Sequence, residues 1–172
     1  MMSRVYVLDA GVLFTTWTTK MDNAVLLTTS NIMAEVRNKP SQLRAETLLT
    51  LDRLRVVNPE SVYLERVSKT AKQSGDSSVL SAVDIELISL ALMLREEGED
   101  VTLVSSDFSV LNTSSHLGIK YIDPSGKFRK EITWLLRCPA CHYKSETPTR
   151  DSECPVCGTT MQRTPLRGRK RS

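Results

Sequence analysis

The chain has 172 residues, 40% of them hydrophobic, enough for one medium-sized domain with a real core and a small second module. No run reaches the roughly 18 uninterrupted apolar residues of a membrane span, and the first residues enter a strand pattern too early for a signal peptide. A cytoplasmic protein without a membrane partner is therefore expected. Net charge is only +3, yet residues 1–130 carry 15 Lys/Arg against 16 Asp/Glu, whereas residues 131–172 carry 8 against 4.

Arg4-Val-Tyr-Val-Leu8 predicts a strand that ends on Asp9, with Ala10-Gly11 leading into a helix through Phe14. Residues 24–28 predict a second strand, and Thr29-Ser30 can cap a helix containing Ile32, Met33, Glu35 and Val36. Glu35 then sits about one turn in. Pro40 closes the next segment and Ser41 starts a helix with Leu43, Leu48, Leu51 and Leu54 as its apolar stripe, before a third strand at Val56-Val57. Pro59 is a good first helical residue, and that helix runs through Val62, Leu64, Val67 and Ala71 to Ser74-Gly75.

Asp76-Ser-Ser78 turns the chain into an almost wholly apolar helix, Ser81 to Leu94, with Asp84 near its start. Asp84 has mostly apolar neighbours three and four positions away, so it is expected to point towards the protein. Two explanations stand side by side. Ser81 and Asp84 can form a capping box at the positive end of the helix dipole, or Asp84 can help hold a metal ion with acids from elsewhere. The helix stops near Gly98. Val101–Val104 is the next strand, Ser105-Ser-Asp107 follows its end, Phe108 to Leu117 is helical, and Lys120-Tyr-Ile122 is the last strand.

Strands separated by helices imply an α/β fold, a parallel sheet covered by helices on both faces. In such a sheet, strand ends and the starts of the following helices share one edge, where ligands bind. Asp9, Glu35, Asp84 and Asp107 are thus expected to converge there. Acids brought together repel, and a divalent cation is one remedy. Oxygen-only ligands suit Mg²⁺ or Mn²⁺, whose chemistry includes phosphodiester hydrolysis. His116 falls in an expected surface turn and His142 among the cysteines, so a nucleophile–imidazole pair has little support. Asp76 and Asp123 are expected to be ordinary solvated acids.

All four cysteines stand in the last 35 residues, as Cys138-Pro-Ala-Cys141 and Cys154-Pro-Val-Cys157. Two such pairs read as a tetrahedral structural zinc site in a small β ribbon, with Gly158 permitting the turn after the second pair. His142 is surplus to that site. Arg163 with Arg167-Gly-Arg-Lys-Arg171 reads as a flexible cationic arm for phosphate backbones or as a solvated tail. The expected organisation is a nuclease-like domain at 1–123, a linker at 124–131, the zinc ribbon at 132–163 and a basic tail at 164–172. In the ribbon, Arg137, Lys144 and Arg150 with Tyr143 and Trp134 could supply phosphate contacts and a stacking surface for RNA, although packing of the ribbon core is the favoured role of Trp134. Arg37 and Lys39 are either steering charges or exposed helix-end charges.

Val7-Leu-Asp9-Ala-Gly11, Glu35 within Met33-Ala-Glu-Val36, Ser81-x-x-Asp84 and Ser105-Ser-Asp107-Phe108 resemble the motifs of the PIN-domain nucleases. With a four-cysteine ribbon appended, the chain resembles the archaeal Nob endonuclease family from about residue 3 to residue 163. The resemblance implies a metal-dependent endoribonuclease that trims the 3′ end of small-subunit ribosomal RNA, with Asp9, Glu35, Asp84 and Asp107 matching the metal-binding acids. Many relatives carry two successive acids after the fourth strand, and Ser106 takes the first of those places here. The rival readings are an RNA-binding assembly factor with a PIN domain as scaffold, a toxin-like PIN nuclease, and an aspartyl phosphotransferase. The last would want a second acid where Gly11 stands.

Overall fold

A computed structural model describes residues 4–13, 15–21, 24–145 and 153–166. The first apolar run forms strand β1 (Val5–Leu8), and all four of its residues are buried. A strand so uniformly apolar needs cover on both faces. With β2 (Val25–Thr28), β3 (Leu54–Val56), β4 (Val101–Val104) and β5 (Lys120–Ile122) it makes a parallel sheet of order β3-β2-β1-β4-β5. Leu8 pairs with Val104, so the residues that follow β1 and β4 emerge side by side. The strand order reverses between these two strands, which is where open parallel sheets bind ligands.

Helices α1 (Ala10–Leu13), α2 (Ser30–Glu35) and α3 (Lys39–Thr50) join the first three strands. Helices α4 (Ser61–Ser74) and α5 (Ala82–Glu96) cross to β4, and α6 (Phe108–His116) leads to β5. Contacts group α1 with α2 and α3, and α4 with α5 and α6, as expected when crossovers of one hand cover both faces, and α2 also touches α5. Every residue from Leu87 to Leu94 is buried, because α5 is enclosed by α4, α6 and the sheet. At roughly 1.5–3 kcal/mol for each fully buried aliphatic side chain, Leu87, Ile88, Leu90 and Leu92 fix this helix firmly. Its first turn, carrying Asp84, is anchored with it.

Two expected elements shift. Asn38 caps α3 by accepting from the Ser41 N–H at 2.9 Å, so Lys39 and Pro40 fill its first turn. The buried face is Ser41, Ala45 and Leu48, while Leu43 and Leu51 are exposed. A leucine count misreads a helix whose inner face is built from small residues. Asp52 adopts φ 53°, which turns the chain early into β3, so Leu54 opens that strand instead of extending the helical stripe. Between α1 and β2 a 3₁₀ turn (Trp17–Lys20) sets Trp17 edge-on to Tyr6, with centroids 5.5 Å apart. Phe14 lies outside the described residues.

Past the sheet, β6 (Trp134–Arg137), β7 (Lys144–Ser145) and β8 (Gln162–Pro165) form an antiparallel sheet of order β7-β6-β8. Arg163 is therefore a strand residue and not part of a cationic arm. Arg167, Arg169, Lys170 and Arg171 lie outside the described residues. The small sheet docks on α6: Asn112 accepts from the Ile132 N–H at 2.7 Å and donates to the Ile132 carbonyl at 2.8 Å. His116 ends α6 with its Nε2 3.3 Å from the same carbonyl, so it sits at this junction and not in a surface turn.

Asp76 overturns the expectation of a solvated acid. It is fully buried, accepts from Ser74, Asn112 and Thr113, and forms an ion pair with Arg163 of β8. An anion so enclosed requires donors and a countercharge, and both modules supply them. Asp123 departs too: its carboxylate accepts from the backbone N–H groups of Ser125, Lys127 and Phe128 and from the Ser125 hydroxyl. Among the described residues no helix is long and apolar enough to cross a membrane.

Candidate active site

Asp9 directly follows β1, and its N–H donates to the Val104 carbonyl at 3.1 Å. Ser105, the next residue after β4, is fully buried. Its hydroxyl donates to Asp9 Oδ2 at 2.6 Å and accepts the Asp107 N–H at 3.0 Å. One side chain thus ties the two acids across neighbouring strand ends. Asp107 caps α6 by accepting from the Ser109 and Val110 N–H groups at 2.7 and 3.1 Å.

Asp84 is the third residue of α5 and completes the expected capping box. The Ser81 N–H and hydroxyl both donate to Asp84 Oδ2, at 2.8 and 2.7 Å, and the Asp84 N–H donates to Ser81 Oγ at 3.2 Å. The cap explains its place in the first turn, and Oδ1 has no hydrogen-bond partner among the described residues. Capping and ligation are compatible.

The electrostatics join the three acids. Burial, the largest cause, pushes Asp9 above the ordinary carboxylate range; the Ser105 hydroxyl and the Ala10 N–H pull it down, and the charges of Asp84 and Asp107 push it up again. Both charges acting on Asp9 are acidic. Glu35 stands apart from this network. It is the exposed last residue of α2, a helix of six residues capped by Thr29, so it lies farther along its helix than the early turn expected. α2 is tied to α5 where Asn31 donates to Glu86 at 2.7 Å. The carboxylate oxygens of Asp9, Asp84 and Asp107 are the donor type that a hard divalent cation such as Mg²⁺ or Mn²⁺ takes, and its charge would offset the repulsion that Asp84 and Asp107 exert on Asp9. Ser106 is exposed, leaving Asp107 as the acid after β4.

In the small sheet, ligand atoms of Cys138, Cys141, Cys154 and Cys157 all lie within 4.8 Å of one another. Cys138 and Cys157 are 3.4 Å apart at sulfur, as are Cys141 and Cys154, too far for disulfides. Four sulfurs about 2.3 Å from a central zinc would stand about 3.8 Å apart, so the cluster has the size of a zinc site. The two halves repeat one backbone plan. The Cys138 N–H donates to the Tyr143 carbonyl and His142 N–H to the Cys138 carbonyl; Cys154 does the same with Thr159 and Gly158. His142 (φ 64°) and Gly158 (φ 72°) occupy the same left-handed place. Crowded thiols cannot ionise alike. The Thr159 hydroxyl and N–H, then Cys138, draw Cys157 down to about 6, whereas Cys141 is pushed up to about 12 despite the Tyr143 N–H because the neighbouring sulfurs and burial outweigh it.

The PIN domain of ribonuclease matches residues 6–94. The endoribonuclease Nob1 of Pyrococcus abyssi is 30% identical over 142 residues, which are 83% of this chain and 85% of the relative. The chain belongs to the PIN-domain ribonucleases of the Nob1 family. Ribonuclease VapC1 of Thermoplasma acidophilum is 29% identical over 160 residues, covering 92% of this chain and 77% of its own. The 20S-pre-rRNA D-site endonuclease NOB1 of Saccharomyces cerevisiae is 32% identical over 94 residues, 54% of this chain but 20% of its own. The matched PIN segment holds Asp9, Glu35 and Asp84, while Asp107 and the cysteines lie beyond it.

Ser105 is the PIN-site residue that motif reading passes over. Its position after β4 was visible in the sequence, but its role depends on the pairing of β4 with β1. Trp134 belongs to the ribbon's packing: the Arg163 guanidinium covers its ring at 4.2 Å. Tyr143, Arg137 and Lys144 are exposed on the ribbon, and Arg37 after α2 and Lys39 at the start of α3 are exposed as well. Arg150 lies outside the described residues.

Proposed function

We propose that this chain is a Mg²⁺- or Mn²⁺-dependent endoribonuclease that hydrolyses a phosphodiester bond in precursor small-subunit ribosomal RNA, maturing its 3′ end. The observation that carries the proposal is that Asp9 and Asp107 follow the paired strands β1 and β4 and are tied together by the Ser105 hydroxyl, with burial first and then the charges of Asp84 and Asp107 raising Asp9. Asp9, Asp84 and Asp107 would hold the ion, with Glu35 assigned to the same site by its motif. A bound divalent cation supplies charge neutralisation at the phosphate and a water of lowered pKa.

The protein's own contribution is preorganisation. The Ser105 hydroxyl fixes the Asp9 carboxylate and, through the Asp107 N–H, the start of α6. Ser81 fixes Asp84 by two hydrogen bonds to one oxygen. Acids held this way need no reorganisation when an ion and a phosphate arrive. Neither histidine adjoins them: His116 faces Ile132 and His142 faces Arg137. That arrangement supports metal-assisted hydrolysis over imidazole catalysis. Arg37 and Lys39 would draw RNA towards the acidic edge. Zinc held by Cys138, Cys141, Cys154 and Cys157 would fold the ribbon, assigned to residues 132–163 beyond a nuclease unit at 1–123 and a linker at 124–131. Action on ribosomal RNA precursors in the cytoplasm completes the reading.

The test is incubation of the purified chain with a precursor spanning the rRNA 3′ end, with and without Mn²⁺, followed by mapping of the ends. Mn²⁺-dependent scission that Asp84→Asn abolishes, with fold and RNA affinity retained, is expected. RNA binding without scission under any divalent ion would make the chain an assembly factor with a PIN scaffold and refute the proposal.

A further inference from the structure

Beside the acids lies an aromatic surface with no assigned role. Phe108 immediately follows Asp107, and its ring meets Phe128 edge-on at 4.9 Å between centroids. Phe128 meets Tyr121 of β5 at 5.2 Å and 87°. The Phe128 loop is held by Asp123, whose carboxylate takes the Lys127 and Phe128 N–H groups at 2.7 and 2.8 Å. Gly126, at φ 65°, permits the turn that brings Phe128 back to the sheet edge.

A purely structural clasp over an edge strand would bury its rings. Phe128 is partly buried against the core, but Phe108 and Tyr121 remain 39% and 36% exposed. Cations flank Phe128 along the chain: Lys127, Arg129 and Lys130 are exposed and pair with no carboxylate among the described residues. Exposed aromatic faces among unpaired cations fit unpaired nucleotides, whose bases stack on rings while their phosphates meet the charges. Duplex RNA offers no free base face, so this surface favours a single strand.

We infer that Phe108, Phe128 and Tyr121, with Lys127, Arg129 and Lys130, form a stacking shelf for an unpaired RNA base next to the scissile phosphate. The place beside the scissile phosphate rests on the nuclease reading above. The shelf itself binds RNA whether or not cleavage follows. Phe108 is a positioning residue here: it seats a base one residue from Asp107 and so registers the strand against the acids.

The experiment measures anisotropy of a labelled oligoadenylate of about ten nucleotides with the full zinc-loaded chain and no other divalent ion. Phe108→Leu, which keeps apolar bulk without the ring, is expected to weaken binding by about tenfold, the scale of one lost stacked base. Phe108→Tyr restores it. A strand of the same length that is abasic throughout binds the wild type as weakly as oligoadenylate binds the leucine variant, and the variant loses nothing further on it. Replacing Lys127, Arg129 and Lys130 together by glutamine lowers the salt slope by about 2, at roughly 0.7 per phosphate contact on a single strand. Wild-type affinity in Phe108→Leu, or an equal loss on the abasic strand, overturns the shelf. Binding with these signatures in a chain that never cleaves would uphold the shelf and refute only the nuclease reading.

Discussion

Replacing Arg163 by alanine should loosen the ribbon from the PIN domain, because it removes the countercharge of a buried acid. Asp76 has 0% side-chain exposure and Arg163 has 25%. Truncating one partner of a buried pair commonly costs about 3–5 kcal/mol. Here Asp76 keeps its bonds from Ser74, Asn112 and Thr113, and partial exposure of Arg163 weakens the pair, so the lower part of the range applies. A charge-assisted hydrogen bond of about 1.5–3 kcal/mol and a cation–π contact with Trp134 of about 0.5–1 kcal/mol lead to an expected loss of about 2–4 kcal/mol. The assay is urea unfolding of the zinc-loaded chain, followed by Trp134 emission in a Trp17→Phe background. Asp76→Asn should cost less, since Arg163 can then turn to water. Arg163→Lys should fall between, keeping the charge but losing the planar fork and the ring contact. A loss below about 0.5 kcal/mol for Arg163→Ala, the scale of an ordinary surface substitution, would refute the reasoning.

Asp9→Asn should stabilise the metal-free PIN domain at pH 7. The folded carboxyl is raised above its ordinary 3.8, so its contribution is favourable below that value and is lost as pH rises through the raised one. The advantage of Asn over Asp, read from Trp17 emission in urea, should shrink as pH falls towards 3.8, and an advantage that grows on acidification would contradict the assignment. Zinc analysis should return one ion per chain. Stripping it should unfold the ribbon and shift Trp134 emission to the red while the five-stranded sheet persists, because among the described residues the ribbon's own core is the small cluster Leu136, Cys138, Cys154 and Met161. An unchanged Trp134 spectrum after complete removal would show that the thiols are not what holds the ribbon.

The legible features were local ones. The strands β1, β2, β4 and β5 follow from short apolar runs between turn residues, and the Ser81–Asp84 cap from a spacing of three. The cysteine cluster follows from two four-residue knuckles that each aim two sulfurs at one point. Each is decided by residues a few positions apart, which is why the fold class and the thiol site are legible in the sequence. α3 resisted because its inner face holds Ser41 and Ala45, where composition carries little signal.

Which polar groups meet depends on long-range packing. The Ser105 hydroxyl reaches Asp9 across 96 positions, and Arg163 reaches Asp76 across 87. No local pattern marks Asp76 as buried, since its turn reads like any solvated Asp-Ser-Ser segment. It became the anchor of the ribbon because α6 supplies Asn112 and Thr113 while β8 closes over it with a cation. The physical reason is one of range. Caps, turns and knuckles minimise free energy within a single element, whereas the cost of burying a charge depends on everything that packs around it. Local residue patterns specify the elements and the order of the acids along the chain. The packing of β1 beside β4, and of the ribbon against α6, determined which of those acids share an environment.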